Sequence, residues 1–205
     1  AVTILSVGFS SLALAHEGGG DAQYLFVKET SVMTDFQSQL GLGLLGKPGL
    51  TGGRGTPITN YFGVDYAWTP DVGLSIGLPL AGTWSMGADD YGIGNVVLGA
   101  KYVTPLDRWR FALGADVALP TARDKAMLGT STRQFSQFVK DQLAFSPYVA
   151  ASYVRNRLTL TLDVGTSVEI FTKKSAGIDR MEDIIFYDAG VAMAITDNVW
   201  STIEM

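Results

Sequence analysis

The chain has 205 residues with 24 Gly, no Cys, a single His, 17% charged residues and a formal charge of −5. These numbers exclude disulfide stapling, zinc–thiolate sites and a nucleic-acid footprint, and a lone His close to the start removes Ser/His and Cys/His nucleophile systems. Mean hydropathy is +0.20, yet after residue 15 no apolar run is long enough for a membrane-spanning helix, so the apolar surplus belongs to another kind of element.

Residues 1–15, AVTILSVGFSSLALA, are uncharged and apolar and end in Ala13-Leu14-Ala15. An apolar core closed by an A-x-A pattern is the signature of a secretory leader, so cleavage before His16 is expected, with the leader's basic start upstream of Ala1. Absence of Cys is compatible with export through an oxidising periplasm. Residues 16–34 then read as an N-terminal periplasmic segment. His16 beside Glu17 and Asp21 is read as a solvated tail rather than a metal site, and neither metal nor cofactor is expected. Ala22 to Thr34 is of mixed character, no element is assigned to it, and whether it plugs the lumen stays open.

From Phe36 the side chains alternate. Phe36, Ser38, Leu40, Leu42 and Leu44 oppose Gln37, Gln39, Gly41 and Gly43, which predicts a strand over Asp35 to Leu45 because successive strand side chains point to opposite faces. Gly41, Gly43 and Gly46 also spell a dinucleotide fingerprint, but Lys47-Pro48-Gly49 opens a loop where that motif needs a helix. Further strands are predicted over Ile58 to Trp68 and Val72 to Leu80, turned by Thr69-Pro70-Asp71, followed by a loop over Ala81 to Gly92. Ile93 to Thr104 and Trp109 to Pro120 form a hairpin about Pro105 to Arg108. Thr121 to Asp141 is a long loop. Strands at Leu143 to Tyr153 and Leu158 to Ile170 flank a tight Asn156-Arg157 turn, and a charged loop over Thr172 to Asp183 precedes the strand Ile185 to Ile195.

These strands approach the roughly ten residues that cross a bilayer at a tilt of about 45°. Their connections alternate short and long, and Trp68, Tyr102, Trp109 and Tyr153 lie on the apolar face beside short turns. Short periplasmic turns, long external loops and an aromatic girdle define an up-and-down outer-membrane barrel. The expected fold is therefore all-β: an antiparallel transmembrane barrel over 35–205, in contact with the outer-membrane lipid of a Gram-negative bacterium. The last hairpin sets the register. A two-residue turn at Asp197-Asn198 would face Glu204 to lipid, whereas a three-residue turn from Thr196 places Val199 and Ile203 outside and Glu204 inside, and is preferred. With a periplasmic N-terminus, closure then needs at least ten strands, so the natural protein is expected to continue past Met205.

The opposite face defines the expected lumen: Asp65, Asn95, Lys101, Arg110, Asp116, Tyr148, Asp163, Glu169, Asp188 and Glu204. Six acids against two bases leave a balance of −4. Lys101 and Arg110, on adjacent strands near the turn, are expected to repel each other unless acids or a bound anion intervene. No catalytic residue is assigned, since carboxylates on separate strands read as lumen charges.

Gly92-Ile93-Gly94-Asn95 leading into Leu98-Gly99-Ala100-Lys101-Tyr102, then Ala118-Leu119-Pro120-Thr121, with Leu78-Pro79-Leu80 upstream, resembles the MetA-pathway of phenol degradation family of outer-membrane proteins. The resemblance covers roughly Ile58 to Ile195 and implies an outer-membrane channel near aromatic-compound catabolism. Two functions are expected to compete: a passive pore for small solutes, and a closed structural or adhesive barrel acting through its loops. More than eight strands and a lumen face rich in Gly and Ser favour the pore.

Overall fold

The computed structural model describes residues 4–8, 28, 30–43, 56–84, 90–123, 137–173, 181–196 and 199–204. Eleven strands run in chain order: β1 Ile4–Gly8, β2 Asp35–Gly43, β3 Thr56–Ala67, β4 Val72–Trp84, β5 Asp90–Ile93, β6 Val97–Leu106, β7 Trp109–Ala118, β8 Gln142–Arg155, β9 Leu158–Phe171, β10 Met181–Thr196 and β11 Val199–Glu204. They form one antiparallel sheet in the order β1-β2-β3-β4-β6-β7-β8-β9-β10-β11, with β5 paired to β4, and the sheet curls into a half-barrel. Apart from β5, which shares the β4 edge with β6, successive strands are neighbours, the meander expected from the alternating connections.

The turn chemistry explains the short connections. Asp107 and Asn156 take positive φ of 56° and 54°, a conformation that Asp and Asn tolerate better than other side-chain-bearing residues, and each opens a two-residue turn. In the β3–β4 turn the Thr69 hydroxyl accepts from the backbone N–H of Val72 at 3.0 Å and of Asp71 at 3.3 Å.

Several boundaries differ from the sequence expectation. The β6–β7 turn is Asp107-Arg108 alone, since β6 continues through Pro105 and Leu106. The stretch read as loop from Ala81 continues β4 to Trp84, because its small residues pair on both sides, Ala81 with Thr59 of β3 and with Gly92 of β5. Small side chains erase the apolar period without removing the ladder. Likewise β10 begins at Met181 inside the predicted charged loop, pairing Met181 with Ile170. Ile4–Gly8, within the expected leader, pairs with β2 from Ile4–Gly43 to Gly8–Gln39. The tail at His16, the predicted loop from Gly46 and the Asp197-Asn198 turn itself lie outside the described residues.

The last hairpin reaches the preferred register by another route. A bulge between Ala194 and Thr196 shifts β10 by one residue, so that Val191 pairs with Ile203 and Gly190 with Glu204, although Thr196 already pairs with Val199. The extra residue sits in the strand, not in the turn.

Burial is inverted relative to a water-soluble sheet. Leu113 is 61% and Leu162 64% exposed on the convex face, whereas Ser152, Thr161 and Glu169 on the concave face are about 1% exposed. The buried apolar clusters of the described residues are small: Ala81, Ala122 and Phe138 at one end, Val103, Ala112, Tyr148 and Ala150 across the middle.

Candidate functional site

The candidate site is the concave face, and the ladder register stacks it into rows. One row runs Asp35, Asp65, Ser75, Gly99, Asp116 and Ser146 from β2 to β8. The Ser146 hydroxyl donates to Ser167 of β9 at 2.9 Å, extending the row. Three carboxylates and three hydroxyls thus cross seven strands at one level. Asp65 and Asp116 were named on the expected lumen face and the serines belong to the same polar set of alternating residues; Asp35 was not named, although strand parity points to it.

One position nearer the short turns, the row is Gly73, Lys101, Gly114, Tyr148, Gly165 and Phe186. Glycine alternates here with large side chains for a steric reason. A Cβ on Gly114 would lie 2.8 Å from Tyr148 Cε1, and one on Gly165 would lie 2.8 Å from Phe186 Cε2. The rings lie over the neighbouring glycines. The space that the Gly-rich face promised is therefore filled by aromatic side chains from adjacent strands, and Tyr61 covers Gly63 and Gly77 in the same way.

The remaining expected lumen residues fall on the same face at other levels. Asp163 pairs with Asp188 across β9 and β10 and is buried. Glu169 is buried and accepts from Gln142 Nε2. Glu204 takes the ladder position opposite Gly190. Arg110 pairs with Pro105 and Ser152, Lys101 with Gly73 and Gly114. Measured along β7 their ladder positions stand four residues apart, a backbone separation of about 13 Å at ~3.3 Å per residue. Asn95 is fully buried at the long-loop end. It donates to Val139 O and accepts from Ala122 N, both at 2.8 Å, and its own N–H donates to Gln137 O at 2.7 Å. It ties the β7–β8 connection down over the rim and does not face open space. The girdle side chains Trp68, Tyr102 and Trp109 are exposed on the convex face by the short turns, with Trp109 and Tyr153 rings 5.1 Å apart.

The largest departure is the segment before β2. The sequence reading named an N-terminal periplasmic segment and left open whether Ala22 to Thr34 enters the lumen; Lys28 and Thr30 to Thr34 cross the concave face as a strap. Lys28 N–H donates to Asp163 Oδ2 of β9 at 2.7 Å, and Lys28 Nζ lies 2.5 Å from Asp116 Oδ2 of β7. Thr30 Oγ1 donates to Ser152 Oγ of β8 at 2.6 Å, and Ser152 also bonds Thr161. Val32 packs against the Val103, Ala112, Tyr148 and Ala150 cluster. Thr34 Oγ1 accepts from Ala67 N at 3.0 Å. No period exists in this stretch because its partners are strand faces, not a ladder neighbour.

No protein-family model matches the chain, and comparisons with curated proteins and with solved structures find no match either.

Proposed function

We propose that the protein is an outer-membrane channel for passive passage of small solutes, with the concave face as the solute path. The observation that carries this reading is the inverted burial: a convex face of large apolar side chains left bare, and a concave face of acids, hydroxyls and amides. Such a sheet suits lipid outside and water inside. The motif resemblance extends the solute class to aromatic or other hydrophobic compounds. Adding Asp35 and Lys28 to the concave charges gives seven acids against three bases, still −4. An acid excess between low-dielectric walls concentrates cations.

Planar-bilayer recordings of the full-length protein test this. Discrete conductance with a modest cation preference is expected, falling as salt rises, since the Debye length drops from about 10 Å at 0.1 M to about 3 Å at 1 M. Anion preference would overturn the charge argument. Absence of conductance from folded, inserted protein would instead establish the second reading, a closed barrel, which the strap across the concave face favours.

A further inference from the structure

We propose that the concave face holds a site for a linear diammonium solute, built by Asp116, Asp163 and Tyr148, and that Lys28 occupies it as a tethered stand-in. The inference deepens the channel reading by naming a solute class.

The argument begins with the Lys28 side chain. The side chain is 15% exposed, and its ammonium sits 2.5 Å from Asp116 Oδ2 and 5.1 Å from the centroid of the Tyr148 ring. A carboxylate on one side and an aromatic face on the other is the combination that recognises an organic ammonium, the ring adding electrostatic attraction to the ion pair. A buried charge in this position is held by its partners rather than by water.

The wall residues do not depend on the strap for their placement. Asp116, Tyr148 and Asp163 stand on three consecutive strands, β7, β8 and β9, paired in one register, with the β8–β9 ladder interrupted only at Ser146 and Pro147. The Tyr148 ring lies over Gly114, where a Cβ would lie 2.8 Å from Cε1, so the glycine lets the ring settle against the wall. The site is preorganised, and the strap is the part without a ladder partner among the described residues.

The second donor fixes the length of the ligand. Lys28 N–H donates to Asp163 while Lys28 Nζ meets Asp116. Between those two nitrogens lie Cα, Cβ, Cγ, Cδ and Cε, the carbon chain of 1,5-diaminopentane. A free diamine of that length can span the same two carboxylates, and its second ammonium would meet Asp163 as a charge where Lys28 offers only an amide N–H. Entry of such a solute displaces the strap's first contact, leaving Thr30 and Thr34 as its remaining hydrogen-bonded anchors to the wall among the described residues.

Calorimetric titration of 1,5-diaminopentane into the full-length protein in detergent, at low salt, tests the site without requiring conduction. Lys28→Gln removes the tethered competitor, whose effective concentration is of millimolar order, so affinity is expected to rise about tenfold or more. Adding Asp116→Asn to that variant is expected to reverse the gain, and 1-aminopentane is expected to bind more weakly than the diamine. Unchanged affinity in Lys28→Gln, or equal binding after Asp116→Asn, overturns the proposal and leaves Lys28 a structural ion pair. Should Lys28→Gln fail to fold, hydrogen exchange of the Thr30 to Thr34 amides in the unmodified protein decides: faster exchange at saturating diamine supports displacement, and no change overturns it. Diamine binding by a protein that does not conduct would sink the channel reading while the site stands.

Discussion

Leu113→Arg is expected to destabilise the protein in lipid by about 2 to 4 kcal/mol, the range for a basic side chain near the bilayer midplane of a barrel. Leu113 lies in the middle of β7, pairs with Tyr102 and Val149, and has those two exposed side chains as its convex-face neighbours. In water the same substitution at an exposed strand position would change stability by no more than about 0.5 kcal/mol, since arginine would simply be solvated. Unfolding by denaturant in lipid vesicles measures the difference. A change within the smaller range would mean that the convex face does not meet lipid, and the barrel reading would fall with it. Gly114, the adjacent residue, is a poor control, because any side chain there strikes the Tyr148 ring. Leu113→Ala serves better.

Asn95→Ala should have a comparable effect by a different route. The Asn95 side chain is fully buried and satisfies Val139 O and Ala122 N, two backbone groups on either side of the β7–β8 connection. Truncation leaves both unpaired, and each buried orphan costs about 1 to 3 kcal/mol. The expected result is a loss of about 2 to 5 kcal/mol, together with faster proteolysis between β7 and β8 while the strands stay protected. Proteolysis unchanged from the parent would show that Asn95 does not hold this connection. Because Gly94 precedes it, with an added Cβ lying 2.5 Å from Gln137 O, the rim at this point has little room to adjust.

Much of the sheet was legible because strand side chains alternate strictly when one face meets a different medium from the other. The hairpin from Val97 to Ala118 sets Leu98, Tyr102, Trp109, Phe111 and Leu113 on one face, with Val103 and Ala112 as apolar exceptions on the other, and the structure pairs it residue for residue. The pattern failed where side chains are small: Ala81, Gly82 and Thr83 carry no apolar signal, yet they are laddered on both sides. It failed again at the bulge in β10, since an extra residue leaves the same downstream parity whether it sits in a strand or a turn. The concave face was legible as a set of alternating residues but not as a shape. Gly114 reads as empty space until Tyr148, on the neighbouring strand and 34 positions later, is brought over it. The strap was illegible for a related reason. Lys28, Thr30 and Val32 show no period, and their meaning lies wholly in Asp116, Ser152 and Val103, which only the assembled sheet brings near.

That separation also dictates an order of assembly. Lys28 lies 135 positions from Asp163 and 88 from Asp116, and Thr30 lies 122 from Ser152. Closing such long intervals before the strands exist would require an ordering entropy with nothing to offset it, whereas the short-turn hairpins close over a few residues and the longer connections over far fewer than these intervals. The strap therefore has no docking surface until β7, β8 and β9 are joined, and a lining segment that precedes them in the chain finds its place only after them. Until then the Asp116 carboxylate lacks the ammonium that covers it in the finished sheet.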